Sequence, residues 1–389
     1  MKKRFLLLGL LLLVLVLLWS IRGFLSGVVP LLLTTPPLEP GSELPYTVPE
    51  GFKISLYAEN LPGARDVVHD PGGGLAVSLP GEGKIVTVVD TDADGKADKT
   101  FLVLEDLNGP HGIVFVCEGE ENCTLYVAEE DAVRGYEYDA QEHVASRPEK
   151  LATLPSGGGH STRSLHLSPD NKTLLISVGS SCNVCEETDR AVVYSLDLAT
   201  KKLDLYATGL RNSVFMALHP VTGDLWATEM GRDLLGDDIP PDEVNILKEG
   251  GWYGWPWFYG NNIFDEKFRS GVMPSFAKEA IPSQIDLQAH SAPLGLAFIP
   301  EEGWPEEYWH DLLVAYHGSW NRSVPTGYKV VRFDLDPKGK LLGGPTDFIS
   351  GFMADGVVRG RPVDLLIEPG GTLYVTDDRT GVVYRFARE

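Results

Sequence analysis

The chain has 389 residues, with 55 Asp and Glu against 33 Lys and Arg, a formal charge of −22 at pH 7. So acidic a surface is repelled by nucleic acid and by anionic lipid, which removes both as charge-driven partners. With 43% apolar residues and 42 glycines, it can bury a substantial core between many turns.

Residues 1–33 read as a separate device. Met1-Lys2-Lys3-Arg4 is a cationic start, and residues 5–19 are an unbroken apolar run, mostly Leu and Val. This is a secretory signal or a membrane anchor. The run is short of the ~20 residues a spanning helix needs, yet apolar character resumes after Arg22 and continues to Leu33. No small-x-small cleavage pattern stands out. We expect an uncleaved anchor with the domain outside, and release by cleavage is the alternative. Residues 34–49 carry Pro36, Pro37, Pro40, Pro45 and Pro49 and read as a semi-stiff linker. Residues 50–389 form the folded domain.

Within that domain one unit returns six times: an apolar run, a turn, a second apolar run. Val67-Val68-His69-Asp70-Pro71-Gly72 leads to Leu75-Ala76-Val77, and Ile113-Val114-Phe115 to Leu125-Tyr126-Val127. Leu165-His166-Leu167 leads to Leu174-Leu175-Ile176, and Met216-Ala217-Leu218 to Leu225-Trp226-Ala227. Leu296-Ala297-Phe298 leads to Leu312-Leu313-Val314, and Val363-Asp364-Leu365-Leu366-Ile367 to Leu373-Tyr374-Val375. Starts about 46 to 80 residues apart suit four-stranded blades, and each unit is a hairpin. Residues 83–89, 133–138, 191–196 and 329–333 are expected as outer strands. The fold class predicted is all-β, a six-bladed β-propeller, with a sandwich pair or seven blades as the alternatives. Residues 52–57 and 381–386 are both strand-like and are expected to pair, closing the ring.

Two further local patterns stand out. Asp90, Asp92, Asp94 and Asp98 have the carboxylate spacing of a calcium loop, but Phe101 stands where a bidentate Glu would be and no helices flank it. A hairpin turn able to take a structural calcium is the reading. The four cysteines form two close pairs, Cys117 with Cys123 and Cys182 with Cys185, read as local disulfides of an extracytoplasmic protein. A redox Cys-x-x-Cys would sit beside a βαβ unit, and covalent haem would need His where Glu186 stands.

Just before the repeat units stand Arg65, His111, His160 with Arg163, Arg211 with Asn212, Pro293, and Arg359 with Arg361. In a propeller the innermost strands all begin at one rim of the central channel, so these residues converge despite their separation in sequence. Any one Arg there can serve to pair with an Asp of the next blade. Eight polar groups around one ring point instead to a site for a small anionic ligand.

The motifs themselves carry a resemblance. Gly158-Gly159-His160-Ser161-Thr162-Arg163-Ser164-Leu165, Gly209-Leu210-Arg211-Asn212, Asp242-Glu243-Val244-Asn245 and Gly250-Gly251-Trp252-Tyr253-Gly254-Trp255-Pro256 occur in order. Gly318-Ser319-Trp320-Asn321-Arg322 and Arg359-Gly360-Arg361-Pro362-Val363-Asp364 extend the series. Together, over residues 50–389, the chain resembles the soluble pyrroloquinoline quinone-dependent sugar dehydrogenases, in their glucose and sorbosone dehydrogenase branch. The resemblance implies a quinone held in the funnel and oxidation of a sugar or related alcohol, with electrons passed to an external acceptor such as a quinone or a cytochrome. It implies His160 as general base, an imidazole being suited by its near-neutral pKa. It implies Arg211, Asn212, Arg359, Arg361, Arg322, His111 and Arg163 at the cofactor, guanidinium groups being the right partners for carboxylates. It also implies a cofactor calcium on the backbone carbonyls of Gly231 and Arg232.

Three departures from the family pattern bear on this. Arg232 stands where Pro is usual. Ser180 stands where sugar-oxidising members have an Asp behind the base, which predicts a weaker orienting partner. Asn108-Gly109-Pro110-His111 is closer to the sorbosone branch, so glucose itself is not implied. Two other functions compete: a calcium-dependent six-bladed lactonase, and a sugar- or protein-binding propeller without catalysis.

Overall fold

In the computed structural model each of the six units folds as the hairpin its sequence predicts. The structure describes residues 44–119, 122–268, 273, 275 and 279–389. The predicted anchor and residues 34–43 of the linker lie outside them. Six sheets, five of four strands and one with a short fifth, are arranged as blades. Their innermost strands are Val67–His69, Ile113–Glu118, Leu165–Leu167, Ser213–Leu218, Pro293–Phe298 and Pro362–Glu368. The second strands return antiparallel: Leu75–Leu79, Asn122–Ala128, Thr173–Val178, Leu225–Glu229, Leu312–Tyr316 and Thr372–Asp377.

The runs expected as outer strands are third in their sheets, at Lys84–Val89, Ala132–Asp139, Val192–Asp197 and Lys329–Phe333. Outside them lie Lys99–Leu104, Val144–Thr153, Leu203–Thr208 and Thr346–Ile349, which face solvent on one side and so lack a continuous apolar signal. Ring closure is as expected. Phe52–Ala58 pairs with Val382–Arg388, with Phe52 opposite Arg388 and Leu56 opposite Tyr384. The N-terminal strand thereby supplies the fourth strand of the last blade and removes a free edge. Phe52 stacks on Phe386 at 4.7 Å and on Trp304 at 5.7 Å, which fastens the closing strand to the fifth blade.

Side chains stitch neighbouring blades around the channel. Ile113 N donates to Asp66 Oδ2 at 2.8 Å and Val67 N to Asp364 Oδ2 at 3.0 Å. Thr228 Oγ1 donates to the Leu294 carbonyl and Thr376 Oγ1 to that of Arg65, both at 2.7 Å. These contacts tie the first blade to the second and the sixth, and the fourth to the fifth, at the rim on which the candidate site stands. Both predicted disulfides are present, Cys117 with Cys123 across the first hairpin of the second blade and Cys182 with Cys185 in a loop at the funnel. Among the described residues no helix is long and apolar enough to cross a membrane.

Candidate functional site

Because every innermost strand begins at the funnel, every second strand ends there. The site is therefore built from two rings of residues, those before the first strands and those after the second.

His160 stands on the loop leading to the third blade, with φ +48°, a left-handed conformation that a non-glycine residue adopts only under constraint. Its Nδ1 is 2.9 Å from the carbonyl oxygen of Ser180 and 3.0 Å from Ser180 Oγ, at the end of the facing second strand. The loop is gripped from beneath by Arg190, whose guanidinium donates to the carbonyls of Gly157, Gly159, His160 and Gly179. Arg163 is fully buried and works the same way, donating to the carbonyls of Pro155, His160 and Thr162. Burial, then the charge of Arg211, pushes the His160 imidazole down to about 4, so it is neutral at pH 7.

Arg211 lies beside it. Its Nε and Nη2 donate to the carbonyl and Oδ1 of Asn183, both at 2.9 Å, and Nη2 pairs with Asp233 at 3.1 Å. Its Nη1 donates to the Gly231 carbonyl at 2.9 Å. Asn183 is inside the Cys182–Cys185 loop, so that disulfide frames an acceptor for the funnel arginine. Asn212 Oδ1 and the His160 Cβ both crowd Gly179, where an added Cβ would fall 2.4 Å and 2.7 Å from them. Only glycine lets these two side chains approach so closely.

The opposite wall centres on Asp378. Arg65 Nη1 is 3.0 Å from it and His317 Nε2 2.9 Å. Burial opposes this carboxylate, yet His317, Arg65 and Arg361 outweigh it and hold Asp378 well below the usual range. Arg361 donates to the carbonyls of His317 and Gly318, and its guanidinium lies over the Tyr328 ring. Arg359 is less held, with exposed Asp355 3.6 Å away. Arg322 bonds the carbonyls of Asp237 and Ala289 and pairs with Asp238 at 3.2 Å. His111 is buried, with Nδ1 3.3 Å from Ser164 Oγ and no partner for Nε2. Burial and the nearby Arg65 and Arg163 push it well below its ordinary pKa.

The candidate calcium carbonyls differ in availability. That of Gly231 already accepts from Arg211, while Arg232 turns its side chain away to Asp265 at 2.8 Å. In the separate acidic turn, Asp90, Asp92 and Asp94 bring carboxylate oxygens within 4.8 Å of one another. The Asp98 carboxylate accepts from the Thr91 amide and the Thr91 hydroxyl.

Sequence reasoning named the first ring but, apart from Ser180 and the loop residues Gly231 and Arg232, not the second. Glu129, Met230, His317 and Asp378 all end or follow second strands, at one recurrent offset that would have found them. Glu229, just before Met230, accepts from Asn212 N at 2.9 Å and Ser213 Oγ at 2.5 Å. Burial and then Glu243 push it up to about 8.

A TrAA12-like family model matches residues 46–250 and 274–389. A protein of Borreliella burgdorferi described as uncharacterized is 32% identical over 353 residues, which cover 87% of this chain and 89% of that protein. A pyrroloquinoline quinone-dependent sugar dehydrogenase of Hypocrea jecorina is 25% identical over 302 residues, 64% of this chain and 69% of the relative. Among solved structures, the calcium structure of Trichoderma reesei Carbohydrate-Active Enzymes Family AA12 superposes with a TM-score of 0.78 at 21% identity, over 92% of this chain and all of that one. This last likeness is one of fold.

Proposed function

Because the chain belongs to the TrAA12-like family, we propose that it is a pyrroloquinoline quinone-dependent dehydrogenase of a small sugar or related alcohol, acting outside the cytoplasm. One observation carries the reading: a neutral histidine in the funnel, its Nδ1 engaged by Ser180, among arginines that suit an anionic ligand. The name of the Hypocrea jecorina relative supports it.

The residues present fit such a group. Arg65, Arg211, Arg359 and Arg361 offer guanidinium donors on two sides of the funnel, and Arg65 Nε is buried without a partner. Those donors would hold the quinone's carboxylates, Asn212 would reach it beside Gly179, and Arg322 would flank it from the fifth blade. When bound, the quinone supplies the acceptor for the substrate's hydride. His160 Nε2 takes the proton of the substrate hydroxyl, with Nδ1–H held by Ser180. Arg163, Arg190 and His111 act from beneath by fixing the loop and floor. A calcium, named in the structure of the Trichoderma reesei protein, would use the carbonyls of Gly231 and Arg232, sharing the first with Arg211. The acidic turn at Asp90, Asp92 and Asp94 is a second, structural place for it.

The test is reconstitution of the purified chain with the quinone and calcium. Bound cofactor is read by absorbance, and turnover by dye reduction with a panel of aldoses. Failure to bind the quinone would sink the reading.

A further inference from the structure

The funnel face carries an exposed apolar rim. Leu234 is 73% exposed, Val324 69%, Ile239 45% and Trp320 44%. They stand on two funnel-side connections, residues 230–241 in the fourth blade and 317–328 in the fifth. These connections are bonded to each other. Asn321 Nδ2 donates to Asp233 Oδ1 at 2.7 Å, Ser323 N to Asp237 Oδ1 at 3.0 Å, and Arg322 to the Asp237 carbonyl and Asp238. The four apolar residues therefore stand on two connections braced against each other, each next to a residue that makes one of these bonds. Single exposed apolar residues are ordinary, but four on one rim with a tryptophan among them suit a water–lipid interface.

The path of the chain says which lipid surface this is. Thr47 exchanges hydrogen bonds with Ser350 at 2.9 and 3.0 Å, and the Tyr46 ring stacks on Phe352 at 4.4 Å. Gly351, at φ +103°, gives the room, since a Cβ there would fall 2.5 Å from the Pro45 carbonyl oxygen. The Phe352 carbonyl in turn accepts from Arg359 N and Gly360 N. Residue 44 thus meets the domain at the funnel rim, beside the candidate site. Upstream lie the apolar stretches at residues 5–19 and 23–33. The intervening residues 34–43 reach at most about 35 Å when fully extended. The rim sits at the root of this tether, and the far face a further strand length, roughly 20 Å, beyond it.

We propose that the funnel rim docks on the bilayer that holds the chain's own N-terminal segment. Leu234, Ile239, Trp320 and Val324 enter the interface, and the funnel opens toward the headgroups. Charge does not drive the contact. At −22 the chain is repelled by anionic lipid, and the rim carboxylates Asp233 and Asp238 are paired with Arg211 and Arg322. Docking therefore holds on zwitterionic lipid and is insensitive to salt. It stands whether or not the site oxidises a sugar.

All four cysteines are in disulfides, so one added thiol labels cleanly. Full-length chains carrying Val324→Cys, or Val221→Cys in the turn at the opposite end of the fourth blade (54% exposed), are labelled with an environment-sensitive fluorophore. Each is reconstituted into vesicles of plain or acyl-brominated phosphatidylcholine. We expect quenching at position 324 at least five-fold greater than at 221, unchanged in high salt. Equal quenching, stronger quenching at 221, none at either position, or a chain that does not float with the vesicles overturns the proposal. Adding Leu234→Asp and Trp320→Ser to the Val324→Cys chain lowers quenching to the level at 221, while the chain still floats through its N-terminal segment. Unchanged quenching there also overturns it.

Discussion

His160 Nδ1 meets Ser180 twice, at the carbonyl oxygen and at the hydroxyl. Ser180 Oγ donates its own proton to the Cys182 carbonyl at 2.7 Å, so it offers the imidazole only lone pairs. Both contacts therefore demand a proton on Nδ1 and leave Nε2 basic. The serine does the orienting expected of a carboxylate, chiefly through its backbone. Ser180→Ala removes one acceptor and keeps the other, so kcat should fall less than about 10-fold, with the acid limb of the pH profile unmoved. A loss of 100-fold or more would mean that the hydroxyl, and not the carbonyl, sets the tautomer.

The same geometry fixes how His160 titrates. A base must be unprotonated, so activity rises with pH through its pKa and is flat above it. Burial and Arg211 hold that value at about 4. The C2 proton of His160, followed by NMR in the cofactor-free chain, should titrate near pH 4; a midpoint near 6.5 would contradict the burial argument. His160→Ala should lower turnover about 10² to 10⁴-fold while the quinone stays bound.

Both results depend on features that were unequally legible. The blades could be read because each first hairpin alternates between two apolar runs and a Pro, Gly or Asp turn, as from Val67 to Val77. His160, Arg211 and Arg361 could be read because they head such runs. Arg190 could not. In sequence it is a charged residue between Asp189 and Ala191, with nothing to separate it from a surface arginine. Its role arises because the glycine-rich loop at residues 157–159 and the end of the neighbouring strand leave buried carbonyls without donors, and one guanidinium reaches them all. Asp378 and His317 were hidden for a related reason, since they meet only when the last blade closes beside the fifth.

Arg190 should accordingly behave as a stability residue as well as a brace for the base. Arg190→Met leaves several buried carbonyls unsatisfied, which should cost about 3 kcal/mol or more. Arg190→Lys should recover only part of this, because one ammonium cannot span the set. Denaturation midpoints for the two variants check the ordering. A Met variant as stable as the parent would show that water replaces the guanidinium.

The two disulfides should differ in what their loss does. Cys117 and Cys123 face each other across a hairpin far from the funnel, and so short a loop constrains the unfolded chain little. Their double replacement by Ala should lower stability by no more than about 3 kcal/mol and leave quinone affinity unchanged. Replacing Cys182 and Cys185 by Ser frees Asn183, which accepts from Arg211 Nε and Nη2 and from Asp233 N. Quinone affinity measured by absorbance titration should then fall about 10-fold, the equivalent of one charge-assisted hydrogen bond. Equal affinity in both double variants would remove the loop from the site.

Glu229 gives a test that needs no cofactor. Burial first, then Glu243, raises its carboxyl to about 8 from an ordinary value of 4.5. Between those values the native state keeps a proton that the unfolded state has lost, so stability declines as pH rises through this window. The contribution is complete below pH 4.5 and gone above pH 8. Glu229→Gln carries no such proton, while its amide can still meet Asn212 N and Ser213 Oγ. Relative to the parent, the variant should gain stability from pH 5 to pH 8 and level off above it, by about 1–2 kcal/mol at the plateau, well under the limit set by 1.36 kcal/mol per unit. Thermal denaturation at a series of pH values reads the difference directly. A difference that does not change with pH would mean that Glu229 is already ionised in the folded chain, held by Arg211 more firmly than burial opposes it.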